Sequence, residues 1–314
     1  SEMGAPGGAA LAGLLLLLLA GRGGFHAFSS VATAGGAAGS LSLPEVLSFE
    51  RRGHLALRQF FAPEDVASLK AELLRTMETT REEAKLHAIM MNDAEVEELA
   101  PFLQHFNPWR RSEKVAEFAR SPRLAEAACR LLNVESVRLY QDCVFEKRVG
   151  DDCTNWHSDL TMAPLDTNEF LTFWIPLDYV LHPDDGGTGL HFVDRSHRDF
   201  ALSFWHGDKI RGDDAGDFDL SERYEERVEH HGDMQVGDLT VHHGWCLHFA
   251  PENEVEERLA YTVSFVADGA RLLPKGVANA PDNEDAPSYE DWVKELEPGA
   301  LVDHDLVPVV PRER

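Results

Sequence analysis

The apolar periodicity of this chain changes near Val137, and that change constrains the fold more than any other feature. Upstream the spacing is helical. Pro63-Glu64-Asp65 opens a helix, because proline suits the first helical position and acids suit the positive end of the helix dipole. Val66, Leu69, Leu73 and Met77 carry the helix on. Trp109–Phe118 and Ser121–Leu132 predict two more, the second started by Ser121-Pro122. A short strand is expected where Leu55, Leu57 and Gln59 alternate. Downstream the runs are of β type: Val137–Lys147, Phe170–Leu177, Gly189–Val193, Leu239–His243 and Arg258–Val266, with turn signals such as Gly186-Gly187 between them. Helices followed by many strands predict an α+β protein with an antiparallel jelly-roll core flanked by N-terminal helices.

The first 44 residues do not share this pattern. They carry only Glu2 and Arg22 as charged side chains and include the apolar run Ala9–Ala20. That run is short for a membrane span and has the length of a signal-peptide core. A Phe-bearing, acid-free segment from Gly24 to Leu43 follows it. The expectation is a signal- or transit-like presequence over 1–44, with Met3 as the start residue; the segment resembles the two-part plastid presequence of algae with secondary plastids, and a plain secretory signal or a disordered tail are the other readings. Residues 45–268 are expected to form the main domain and 269–314 an acidic, proline-rich C-terminal extension packed on it.

With the presequence set aside, nearly all of the net charge of -26 falls on the folded part. A surface this acidic repels phosphate backbones and anionic membranes, so neither nucleic acid nor a lipid surface is an expected partner. Cys129, Cys143, Cys153 and Cys246 form no CxxC pair and are expected to be reduced. The chain has no GxSxG elbow, P-loop, HExxH or GxGxxG fingerprint.

The chemistry is concentrated in a few residues. In Asn155-Trp156-His157-Ser158-Asp159, His157 and Asp159 stand two apart, and on a strand such residues share a face. His248 closes the stretch Val241-His242-His243-Gly244-Trp245-Cys246-Leu247-His248, and Arg258 lies ten residues further on. Two histidines and a carboxylate make the facial set that holds non-haem Fe(II) and leaves positions open. The arginine offers a planar fork for a carboxylate. His243 is the runner-up metal ligand and otherwise a supporting hydrogen-bond donor or acceptor, and His242 is expected on the opposite face. His191 and His197 read as pocket wall or turn residues, and His230-His231 as solvated.

With these residues in place, the chain resembles the phytanoyl-CoA dioxygenase family of Fe(II)/2-oxoglutarate oxygenases over about Ser48 to Phe265. The resemblance is carried by Phe49-Glu50-Arg51-Arg52-Gly53-His54-Leu55, by Trp156-His157-Ser158-Asp159, by Gly187–His197 and by His243–Arg258. It implies a cupin-like double-stranded β-helix. It also implies His157, Asp159 and His248 as iron ligands and catalytic residues, with Arg258 holding the distal carboxylate of 2-oxoglutarate. The co-substrate would be oxidised with O2 to succinate and CO2 while a substrate C–H is hydroxylated. In related halogenases a small residue stands where Asp159 stands here, so the carboxylate implies oxygenation. The chain departs from the family at Asp194-Arg195, where Pro-Gly is usual, and at Ala250, where a serine often helps hold the co-substrate. Gln141, Thr172 and Trp174 are further candidates to line that pocket, with core packing as the other reading for each. The expected substrate is a small molecule such as a lipid-derived acid, an amino acid or a secondary metabolite, selected by loops at 85–110, 160–170 and 205–232. Two other readings fit the same residues: a non-catalytic or Zn-bound β-barrel binding protein, and a protein hydroxylase.

Overall fold

The structure, a computed structural model, describes residues 41–91, 103–199, 224–255, 257–274 and 292–312. The expected presequence up to residue 40 and much of two expected substrate loops lie outside them.

Helix α1, Leu43–Arg52, precedes the first strand and was not anticipated from apolar spacing. Its signal was present as Ser42-Leu43-Pro44-Glu45. The Ser42 hydroxyl accepts from the Glu45 amide, and the Glu45 carboxylate accepts from the Ser42 amide, the reciprocal arrangement that satisfies two orphan donors. Strand β1 follows as His54–Leu57. Gln59 falls outside it, in the left-handed region at φ 52°. Helix α2 runs from Pro63 to Met91 and takes in the start of the segment 85–110 expected as a loop. Strand β2 (Leu103–Phe106), a 3-10 turn at Pro108–Arg110, and helices α3 (Glu113–Ala119) and α4 (Pro122–Leu132) complete the first half. Ser112 and Ser121 cap α3 and α4 by accepting from Val115 and Leu124.

The second half is built from strands. They are β3 (Val137–Lys147), β4 (Thr154–His157), β5 (Leu165–Asp166), β6 (Phe170–Pro176) and β7 (His191–Val193). β8 (Val228–His230), β9 (Leu239–His243), β10 (His248–Ala250), β11 (Arg258–Ala267), β12 (Arg271–Leu272) and β13 (Val309–Val310) follow. A single helical turn, α5 (Asp159–Met162), interrupts them. The major sheet has the order β1-β9-β6-β11-β3-β13, with β2 also on β3; the minor sheet has the order β4-β10-β7-β8. Among the described residues every pairing between these strands is antiparallel, and the two sheets form the jelly roll. Strand β8 lies in the segment 205–232 that was expected as a loop.

The main hydrophobic core is not inside the barrel. Val66, Leu69 and Leu73 of α2 pack with Leu171, Phe173, Leu239, Val241, Val263 and Phe265 on the outer face of the major sheet. Each such side chain contributes roughly 1.5–3 kcal/mol by burial. Strand alternation then turns Thr172, Trp174, Thr240, His242 and Ser264 to the other face, toward the minor sheet. The alternation of β9 is therefore what puts His242, and not His243, inside. A second core cluster joins Tyr140, Leu160, Leu165 and Phe170 to Trp292, Val302 and Val307 from the C-terminal segment. That segment supplies core residues as well as covering surface, and it braces the helical turn that carries Asp159. Among the described residues no helix is long and apolar enough to cross a membrane. All four cysteines are free thiols.

Candidate metal centre and co-substrate pocket

His157 and Asp159 do not share a strand face. β4 ends at His157, Ser158 is the N-cap, and Asp159 is the first residue of α5. The chain turns from strand to helix between them, and that turn aims the carboxylate back at the imidazole. Gly244 makes the turn possible. Its carbonyl accepts from the Leu160 amide at 3.0 Å, and a Cβ at Gly244 would come within 2.7 Å of the Leu160 side chain. His248 joins from β10, whose register sets it opposite both His157 and Phe192.

The three side chains converge. His157 Nε2 and His248 Nε2 lie 3.7 and 3.6 Å from Asp159 Oδ1, and the three ligand atoms fall within 4.8 Å of one another. Adjacent ligands ~2.1 Å from one ion stand ~3.0–3.4 Å apart, so the cluster is close to a closed ligand set. Tautomers decide what these atoms offer. His157 Nδ1 meets the Asn155 carbonyl at 2.8 Å and His248 Nδ1 meets the Cys246 carbonyl at 3.0 Å. A carbonyl only accepts, so both Nδ1 atoms carry the proton, and both Nε2 lone pairs point at the carboxylate. Two imidazole nitrogens and a carboxylate oxygen facing one point form a set that could hold a metal cation.

Electrostatics agree with this arrangement. Burial pushes the His248 imidazole well below its usual range, and His242 and His157 add to the effect. Burial works against the Asp159 charge. His242, His248 and His157 more than offset that and hold its carboxyl well below the ordinary range. The cluster therefore presents an ionised carboxylate beside the buried His248 imidazole, groups suited to a divalent ion.

A second His/Asp/Glu group, His54 with Asp194 and Glu229, has similar spacing. Its carboxylates are already paired with Arg52, through Asp194 at 2.8 Å and through Glu229. His54 Nδ1 also lies 3.0 Å from His231 Nε2. This is an ion-pair network with a cation in place. It also corrects the expectation for His231, which is half-buried against His54 and not freely solvated.

Arg258 is 4% exposed and carries no carboxylate partner among the described residues. Its Nε donates to Thr188 Oγ1 at 2.8 Å and its Nη2 to the Thr188 carbonyl at 2.6 Å. The guanidinium carbon lies 5.2 Å from the centre of the Trp174 ring. Burial alone lowers its pKa to about 10. A guanidinium uses five N–H donors, so this one keeps a free edge and an uncompensated charge, the chemistry of an anion receptor. Thr188 lies in the Gly187–His197 segment that carries the family resemblance, but it was not singled out as an arginine partner. Lys147, across the β3–β11 register from Arg258, is a second buried cation whose ammonium donates to the Ala250 and Pro251 carbonyls. Burial, then Arg258, lowers its pKa to about 8.

The other predicted pocket residues are placed as follows. Trp174 lies beside the Arg258 guanidinium. Thr172 donates from its hydroxyl to Asp159 Oδ2 at 2.6 Å, so it touches the metal ligand itself. Gln141 is paired in register with Ser264, and its Oε1 is buried without a hydrogen-bond partner. His243 accepts from the Trp245 amide through Nδ1 at 3.1 Å, and its ring lies against His197 and Phe49. His242 reaches Asp159 Oδ2 at 3.1 Å, which corrects the expectation that it faces away from the site; the packing of Leu239 and Val241 against the helices turns it inward.

Comparison with known proteins places the fold and the family. Among solved structures the chain is similar to the non-haem α-ketoglutarate-dependent carbocyclase SnoK from nogalamycin biosynthesis. That match has 18% identity and a TM-score of 0.63 and covers 87% of this chain and 98% of that one. It is also similar to the epimerase SnoN in complex with Fe3+, α-ketoglutarate and nogalamycin RO, at 22% identity and a TM-score of 0.60, covering 85% and 97%. EctD from S. alaskensis with 2-oxoglutarate and 5-hydroxyectoine gives 16% identity and a TM-score of 0.55, covering 77% and 82%. At these identities the likeness is one of fold. No curated protein matches the chain. The family model for phytanoyl-CoA dioxygenase matches residues 49–258, a span that begins in α1, contains His157, Asp159 and His248, and ends on Arg258. The chain belongs to the phytanoyl-CoA dioxygenase family.

Proposed function

We propose that this protein is an Fe(II)/2-oxoglutarate-dependent dioxygenase that hydroxylates a C–H bond of a small molecule, converting 2-oxoglutarate to succinate and CO2. The observation that carries the reading is the pairing of two unlike sites: a His157/Asp159/His248 set aimed at one point, and the buried, anion-free guanidinium of Arg258. A structural zinc site would close its coordination with protein ligands and would need no dicarboxylate receptor. Bound iron, with its open positions, supplies the activation of oxygen.

The chain's own residues do the remaining work. His157 and His248 keep their Nε2 lone pairs oriented through their backbone hydrogen bonds. Arg258 binds the distal carboxylate of the co-substrate, and Trp174 covers the guanidinium and keeps water from it. Side-chain exposure is 25% at His157, 19% at Asp159 and 6% at His248, so substrate approaches over the His157–Asp159 edge. Asp159 occupies the position that a halide would need, which supports oxygenation over halogenation. The solved neighbours include a carbocyclase and an epimerase; hydroxylation is the outcome this reading adds.

Anaerobic addition of Fe(II) and 2-oxoglutarate to the purified protein tests the reading. A weak visible charge-transfer band should appear and should vanish in His157→Ala and His248→Ala. A protein with neither the band nor substrate-free succinate formation is not this enzyme. Residues 1–44 are proposed to carry a plastid or secretory address, which a fusion of that segment to a fluorescent reporter would locate.

A further inference from the structure

The two oxygens of Asp159 face different neighbours. Oδ1 faces the Nε2 atoms of His157 and His248. Oδ2 takes two hydrogen bonds, from the Thr172 hydroxyl at 2.6 Å and from His242 Nε2 at 3.1 Å. A hydroxyl has one proton, and Thr172 gives it to the carboxylate, because an ionised carboxylate only accepts. The 2.9 Å contact between Thr172 and Ser264 is then Ser264 donating. These residues come from three adjacent strands in strict register: Thr172 on β6 is opposite His242 on β9 and opposite Ser264 on β11. They are 4%, 2% and 2% exposed, so no bulk water competes for the bonds.

We propose that His242 and Thr172, the latter backed by Ser264, clamp Asp159 as a one-oxygen metal ligand. This rests on the metal-centre reading above. A free carboxylate can close on an ion with both oxygens, and doing so takes up one of the positions that co-substrate and oxygen require. Two donors on Oδ2, brought in from different strands, commit its lone pairs and hold the carboxylate plane. His242 and Thr172 are thus positioning residues that keep a coordination position open. Each is rigidly placed, since the register of the major sheet fixes both.

Cobalt(II) titration of the metal-free protein, followed by visible absorption, tests this without turnover. Band intensity in that region falls as coordination number rises. His242→Phe keeps the ring and removes the donor; Thr172→Val keeps the shape and removes the hydroxyl. Each should weaken cobalt binding by about 10- to 100-fold, the usual cost of losing a partner of a ligand. Each should also shift the spectrum toward higher coordination. His242→Gln and Thr172→Ser, which restore a donor, should return both readouts close to wild type. Wild-type affinity and spectrum in His242→Phe and Thr172→Val would overturn the clamp, and so would weaker binding with an unchanged spectrum. If His242→Phe does not fold, Thr172→Val decides alone. A wild-type protein that binds no cobalt would instead overturn the metal-centre reading.

Discussion

Replacing Arg258 with glutamine separates the co-substrate pocket from the metal centre. Two of the five guanidinium N–H donors go to Thr188, at 2.8 and 2.6 Å, which leaves a free edge for a carboxylate. Hydrogen bonds to charged groups contribute ~1.5–3 kcal/mol each. A two-bond fork to 2-oxoglutarate is then worth about 3–6 kcal/mol, or about a hundredfold to ten-thousandfold in affinity. The glutamine amide can still donate to the Thr188 carbonyl, so little else is orphaned. Stability without co-substrate should move the other way. Arg258 has a folded-state pKa of about 10, below its unfolded value, so at every pH below that its charge favours the unfolded chain. The cost is about 3 kcal/mol and shrinks only as pH rises past 10. Melting with Mn(II) in place of iron reads both effects. Wild type should gain ~2.7 kcal/mol of stability at a hundredfold excess of 2-oxoglutarate over Kd. Arg258→Gln should melt no lower than wild type without co-substrate and show no gain with it, and its Mn(II) affinity should be unchanged. A retained co-substrate gain would refute the anchor, and a parallel loss of Mn(II) binding would make Arg258 structural.

Asp142 is fully buried, accepts from the Tyr261 hydroxyl and the Trp109 amide, and has its pKa raised to about 7 by burial. Between about pH 4 and 7 the unfolded chain releases this proton and the folded one keeps it, so stability falls as pH rises through that window. Asp142→Asn should remove a slope on the order of 4 kcal/mol, measured by denaturant titration at several pH values, and a slope equal to wild type would count against the assignment. At Gly187 a Cβ would stand 1.8 Å from the Leu181 carbonyl oxygen. Gly187→Ala must therefore move Thr188, and the apparent KM for 2-oxoglutarate should rise roughly tenfold to a hundredfold while metal affinity holds. Trp292 is 0% exposed and packs edge-on against Tyr140 at 6.1 Å. Trp292→Ala should cost about 3–5 kcal/mol in urea unfolding, and a cost below about 1 kcal/mol would mean the C-terminal segment is not part of the core.

Local pattern revealed what is locally encoded. The helices from Pro63 and Ser121 follow from capping residues and helical spacing, and β3, β6, β9 and β11 from β-rich runs; the helix expected over Trp109–Phe118 begins only at Glu113, after the Ser112 cap and a 3-10 turn at Pro108–Arg110. The His157, Asp159, His248 and Arg258 side chains were visible because few folds need those residue types at those intervals. Strand β8 was not visible, because a three-residue strand in an acidic segment is held by its partner β7 and not by its own composition.

By itself, then, the sequence determined the element types, the order of helices before strands, and the residue types available to bind a metal and a carboxylate. Only the tertiary structure decided their orientation. Alternation shows that His242 and His243 face opposite ways but not which of them faces the metal. The answer came from the helical layer, which claims Leu239 and Val241 and so turns His242 inward. The same holds for Asp159, whose aim depends on a strand-to-helix turn seated against Gly244, and for Thr188, which meets Arg258 across seventy residues of chain. Periodicity is a property of neighbours in the chain. The choice of which face becomes the site is made by packing between segments that are distant in it.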